Sequence, residues 1–100
     1  MRTAARVDAN QRKLVKYWRE LGGSWQSTHQ LPGALDGIAG MFGLDCRVEI
    51  KDGDKVPSAR KLTKAEKAVF DGWKGRRPVV WQNEKDVFAL YRSLYTKDSA

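Results

Sequence analysis

Two carboxylates and one ammonium stand out as a set able to act on a phosphodiester: Asp36, within the apolar, Gly-rich run Ala34 to Gly40, and the Glu49 and Lys51 of Val48-Glu49-Ile50-Lys51. Hydrolysis of that bond needs an activated water and a place for the charge that builds on phosphorus. A hard divalent cation supplies both. Mg²⁺ prefers oxygen ligands, binds through one or two carboxylates and keeps several waters. Asp36 and Glu49 are the candidate metal carboxylates, the backbone carbonyl of Ile50 is a candidate further ligand, and Lys51 is the candidate to orient the water or offset phosphate charge. The expected cofactor is Mg²⁺.

The elements that carry these residues follow from periodicity. From Cys46 to Lys51 apolar and polar residues alternate, so Cys46, Val48 and Ile50 share one face of a strand and Arg47, Glu49 and Lys51 the other. Glu49 and Lys51 then lie about 6.6 Å apart along the strand. Glu-x-Lys also marks the wet face of many antiparallel sheets, and Asp36 before Gly37 also suits a turn-capping carboxylate. A lone acid is nevertheless costly to bury in an apolar run.

Upstream, Leu14, Val15, Trp18 and Leu21 form a helical stripe, with Asp8 and Gln11 spaced as a capping box and Gly22-Gly23 as the stop. Ser24–Thr28, Leu35–Ala39 and Cys46–Lys51 are the expected strands of a meander, with Gly40, Gly43 and Asp45 in the last connection. Thr63 and Glu66 form a second capping box for a helix that ends near Gly75. Pro78 to Trp81 is a short strand, and Asn83 caps a last helix bearing Val87, Phe88, Leu90, Tyr91, Leu94 and Tyr95. The expected order is α-β-β-β-α-β-α, an α/β (α+β) domain with a mixed central sheet flanked by helices.

That order and the trio Asp36, Glu49 and Lys51 resemble the PD-(D/E)XK nuclease superfamily. The segments Arg6 to Gln11, Pro32 to Gly40, Val48 to Gly53 and Leu62 to Glu66 are similar to small phage-type VRR-NUC domains, some of whose relatives resemble Holliday-junction resolvases. The resemblance spans nearly the whole chain. It implies a restriction-endonuclease-like core, binding of Mg²⁺ or Mn²⁺ and cleavage of DNA in replication, repair, recombination or packaging. It also implies Asp36 and Glu49 as metal ligands, Lys51 as the water's assistant, and a homodimer. Two departures stand out: Gly33-Ala34-Leu35 separates Pro32 from Asp36, and Gln11 occupies the first-helix position where many relatives carry Glu.

Charge points the same way. Nineteen Lys and Arg against twelve Asp and Glu give +7 at pH 7, which favours a polyanionic partner. Lys55, Arg60, Lys61 and Lys64 gather after Lys51 and are the candidate DNA-binding residues, although such a run also serves as a solvated loop. His29, the sole histidine, and Gln11 are auxiliary candidates. Trp18, Trp73, Phe88 and Tyr91 are expected in the core, and Trp25 and Trp81 either pack between sheet and helix or face a second subunit. Trp81 or the last helix is the candidate dimer interface.

The chain of 100 residues is expected to form one domain, with residues 1–7 and 96–100 fraying. One cysteine, Cys46, excludes an intrachain disulfide and a cysteine-rich zinc site. No apolar run approaches the roughly 20 residues of a membrane span. A cytoplasmic location is expected, the host cytoplasm if the chain is phage-encoded. Two other classes fit the same residues: a non-catalytic DNA-binding or assembly protein, and a nuclease module active only with a partner such as a phage replication or packaging protein.

Overall fold

The computed structural model describes residues 9–99, so the Asp8 half of the first capping box lies outside the described residues. The order is α1 (Ala9–Glu20), β1 (Ser24–Ser27), β2 (Gly37–Met41), β3 (Leu44–Ile50), α2 (Pro57–Arg60), α3 (Lys64–Gly72), β4 (Val79–Trp81) and α4 (Glu84–Ser99). The chain is a mixed α+β fold around one four-stranded mixed sheet, ordered β1-β2-β3-β4. The first two pairings are antiparallel and β3 runs parallel to β4.

Register decides which residues meet. Gly37 pairs with Val48, so the next step outward sets Asp36 beside Glu49 at one end of the sheet. Strand β2 begins two residues later than the sequence suggests because Leu35 and Asp36 are bonded elsewhere. The Leu35 carbonyl accepts from Thr28 Oγ1 at 2.7 Å and the Asp36 carbonyl from Thr28 N at 2.9 Å. Gly40 and Asp45 are paired ladder residues rather than loop. The connection is Phe42-Gly43 alone, both at positive φ (59° and 77°), as a two-residue hairpin turn of matching twist requires. The polar segment after β3 carries a single helical turn, α2, started by Pro57.

One face of the sheet packs on α1 and α4. Leu14, Trp18, Ala39, Val48, Trp81, Val87 and Leu94 are fully buried there. The Trp81 ring lies 5.5 Å from those of both Trp18 and Trp25, and the Trp18 indole N–H donates to the Ser24 carbonyl at 2.8 Å. Trp81 is therefore core, not interface. Two other aromatics depart from expectation: Trp73 and Phe88 are exposed. Trp73 lies just past α3, where Arg47 stacks over its ring at 4.0 Å, and Phe88 sits one residue beyond the buried Val87 on the solvent side of α4.

The opposite face carries α3. Its capping box forms as read: Thr63 Oγ1 accepts from Glu66 N at 3.1 Å and Glu66 Oε1 accepts from Thr63 N at 2.8 Å. Asn83 likewise caps α4, its Oδ1 accepting from Asp86 N at 3.2 Å.

Candidate active site

Strand alternation puts Glu49 and Lys51 on the α3 side of β3, with Asp36 entering from the adjacent start of β2. The Ile50 N–H donates to Asp36 Oδ2 at 2.7 Å, which fixes that carboxylate against the end of β3. The Ile50 amide thus holds a metal-site candidate in place. On the other side, Asn10 at the start of α1 donates to the Lys51 carbonyl at 2.9 Å.

Glu66 completes the group. Its Oε1, already engaged by Thr63 N, also accepts from Lys51 Nζ at 2.9 Å, whereas Lys51 is 3.5 Å from Glu49. The sequence assigns Glu66 a full role as a capping residue, and only the crossing of α3 over β3 reveals the second. Glu66 is therefore the functional candidate that sequence reasoning missed. A Glu at the third position of a helix that follows the strand carrying Glu-x-Lys is the one signal that could have raised it.

Three neighbouring acids, two of them paired to Lys51, set up a conflict of charge. Burial pushes the Glu49 carboxyl up from 4.5 to about 8, helped by its hydrogen bond with Glu66 and by the charges of Asp36 and Glu66, with Lys51 opposing. Burial also raises Asp36, against the stabilising Ile50 N–H. Glu66 is held low: burial works against its charge, but the Thr63 N–H, Glu49 and Lys51 outweigh it. For Lys51 the desolvation of its ammonium is outweighed by Glu66 and Glu49, which raise it. At neutral pH the cluster holds a proton on Glu49 and an ammonium on Lys51, with Glu66 as the partner that anchors it.

Asp36 and Glu49 offer carboxylate oxygens, the donor type that a hard divalent cation takes. Burial is the first cause that raises both carboxyls, and at Glu49 the neighbouring Lys51 ammonium opposes the rise. Among the described residues no three His, Cys, Asp or Glu side chains converge as a closed metal cage. Two carboxylates with the remaining positions left to water and substrate are the Mg²⁺ pattern rather than that of structural zinc.

The other candidates fall around this centre. His29 lies near Asp36; its Nδ1 is hydrogen-bonded to the Ser27 hydroxyl, and its Nε2 is buried without a partner. Gln11 is buried on α1 beside Asn10. Lys55, Lys61 and Lys64 are exposed. Arg60 is half-buried and donates to Gln82 Oε1 at 3.2 Å, tying the α2 segment to the end of β4.

Fold and site together define an α+β domain with a carboxylate-lysine cluster at one end of a mixed sheet. No protein-family model, curated protein or solved structure matches the chain.

Proposed function

We propose that the protein is a metal-dependent deoxyribonuclease that hydrolyses DNA phosphodiester bonds, with Asp36, Glu49 and Lys51 at its centre. The observation that carries this reading is the clustering of Asp36 with Glu49 and Glu66, the latter two paired to Lys51, with Asp36 and Glu49 raised by burial. Asp36 and Glu49 would hold Mg²⁺ or Mn²⁺, which when bound lowers the pKa of a coordinated water and offsets phosphate charge. Ile50 N–H keeps Asp36 oriented. Lys51, kept charged by Glu66, offers its ammonium to a phosphate oxygen or to the attacking water. The exposed Lys55, Lys61 and Lys64 supply contacts to the DNA backbone. This reading places the protein in phage or bacterial DNA replication, repair, recombination or packaging, in the cytoplasm. A homodimer would use the exposed side of α4, where Phe88 and Tyr95 lie open.

A second reading, a DNA-binding or assembly protein without catalysis, is favoured by Gln11 in place of a first-helix acid and by the lack of a three-ligand cage among the described residues. Cleavage of labelled duplex, single-stranded and four-way-junction DNA in Mg²⁺, Mn²⁺ or EDTA separates the two. Metal-dependent cutting lost in Asp36→Ala, Glu49→Ala and Lys51→Ala is expected. Folded protein that binds DNA yet cuts nothing would overturn the nuclease reading, and cutting restored only by an added replication or packaging protein would make it partner-dependent.

A further inference from the structure

A groove of about 530 Å³ runs between α1 and the edge strand β1. Val15 and Trp25 form its apolar part, and Arg12, Lys16 and Arg19 border it. These three cations fall at i, i+4 and i+7, so they stand in a row along one side of the helix. All three are exposed, and among the described residues neither Lys16 nor Arg19 has an ion pair. Glu20 is the one acid among the described lining residues. The groove thus combines an indole surface with a positive rail.

One end of it lies at the same end of the sheet as the carboxylates. Ser27, a lining residue, pairs with Gly37, the neighbour of Asp36. Gln11, also a lining residue, follows Asn10, which donates to the Lys51 carbonyl. Trp25 is half-buried, held by stacking against Trp81 (27° between ring planes) over Gly37, where no Cβ could fit. It is a rigid platform rather than a mobile side chain.

We infer that this groove is a guide for a single strand of DNA, with bases packing on Trp25 and phosphates on Arg12, Lys16 and Arg19, and that it leads the strand to the carboxylate site. The inference rests on the nuclease reading for its substrate class. Charge complementarity selects a polyanion, and the indole selects one with unpaired bases. A duplex keeps its bases stacked inside and would meet the cations alone, whereas strand-binding grooves combine a basic track with aromatic platforms.

The test is a fluorescence-anisotropy titration of labelled oligothymidylate and of a duplex in EDTA over a salt series. Wild type is compared with Lys16→Ala, Arg19→Ala, the double variant, and Lys67→Ala on exposed α3 as the control for net charge. The single strand is expected to bind more tightly than the duplex. The double variant should lose about tenfold in affinity, and the slope of log K against log salt should flatten by roughly 0.7 for each cation removed. Lys67→Ala should match wild type. A strand carrying 5-iodouracil, photocrosslinked to the unmodified protein and mapped by mass spectrometry, should mark Trp25. Preference for the duplex, equal losses in the groove variants and Lys67→Ala, or crosslinks away from Trp25 would overturn the inference. Because binding is read without metal, failure of the groove leaves cleavage to be judged separately. Strand binding as expected from a protein that cuts nothing would remove the nuclease reading and keep the groove.

Discussion

Glu49 is the residue at which stability and the proposed chemistry conflict. A carboxyl lifted from 4.5 to about 8 in the fold holds a proton that the unfolded chain has already released. Its contribution to stability is fully present below about 4.5 and is lost as pH rises through about 8. Asp36, also raised, acts in the same direction. Glu66 is lowered, so its contribution is lost at the acid end, as pH falls through its folded value, and does not cancel the trend near neutrality. Metal-free wild type is therefore expected to melt at progressively lower temperature between about pH 5 and about pH 8, with Glu49→Gln flattening that slope and melting above wild type at the alkaline end. Melting curves that fall equally in both proteins would refute the assignment. Lys51 belongs to the same scale: in the proposed reaction Lys51→Ala should lower the cleavage rate by about 10²-fold or more with little change in substrate affinity. Single-turnover kinetics with saturating enzyme measure that split.

At the scale of elements, α3 both covers the sheet and anchors the lysine, through two separable groups. Thr63→Ala removes the hydroxyl that caps Glu66 N but leaves the Thr63 amide and the Glu66 to Lys51 contact, so it should cost about 1 kcal/mol in urea unfolding and spare cleavage. Glu66→Ala should reduce both, since it also frees Lys51. Gly37 makes the opposite kind of demand: a Cβ there would stand 2.2 Å from the Trp25 indole, and Gly37→Ala should destabilise by roughly 1–3 kcal/mol through overpacking. The same elements show how far the sequence could be read. Strand β3 was legible from its alternation and α3 from Thr63 and Glu66, because both signals are local. The start of β2 was not, since Thr28 claims the carbonyls of Leu35 and Asp36 from a distance in sequence. The hairpin turn was hidden because Phe42, not Asn or Gly, takes a positive φ; its ring lies 5.8 Å from Tyr91 and 5.5 Å from Tyr95, contacts that belong to tertiary structure. Asp36, Glu49 and Lys51 could be singled out by type and spacing, whereas Glu66 joins them only through the crossing of two elements.

For the whole molecule, the carboxylate end of the sheet is joined to the core by the elements that build both. Strand β3 carries the fully buried Val48 beside Glu49, and α1 carries Leu14 and Trp18 a few residues from the Asn10 that bonds the Lys51 carbonyl. A cation that relieves repulsion between Asp36 and Glu49 would therefore stabilise the entire domain, because it binds the folded arrangement and finds no such pair in the unfolded chain. Its effect must grow with pH, since below about 8 the cation has to displace the proton on Glu49. In the proposed reading, Mg²⁺ at about 100 times its dissociation constant adds about 2.7 kcal/mol, a rise of roughly 10–20 °C in melting temperature for a domain of this size. Calorimetric scans with Mg²⁺, with EDTA and with NaCl at matched ionic strength should show that rise in wild type at alkaline pH, a smaller one at acid pH, and none in Asp36→Ala or Glu49→Gln. NaCl serves as the decisive control because a chain of net charge +7 gains from screening alone. A rise that NaCl reproduces, or that survives loss of both carboxylates, would mean the ion acts on the general charge of the surface, and the end of the sheet would then hold a proton-sharing acid cluster in place of a metal centre.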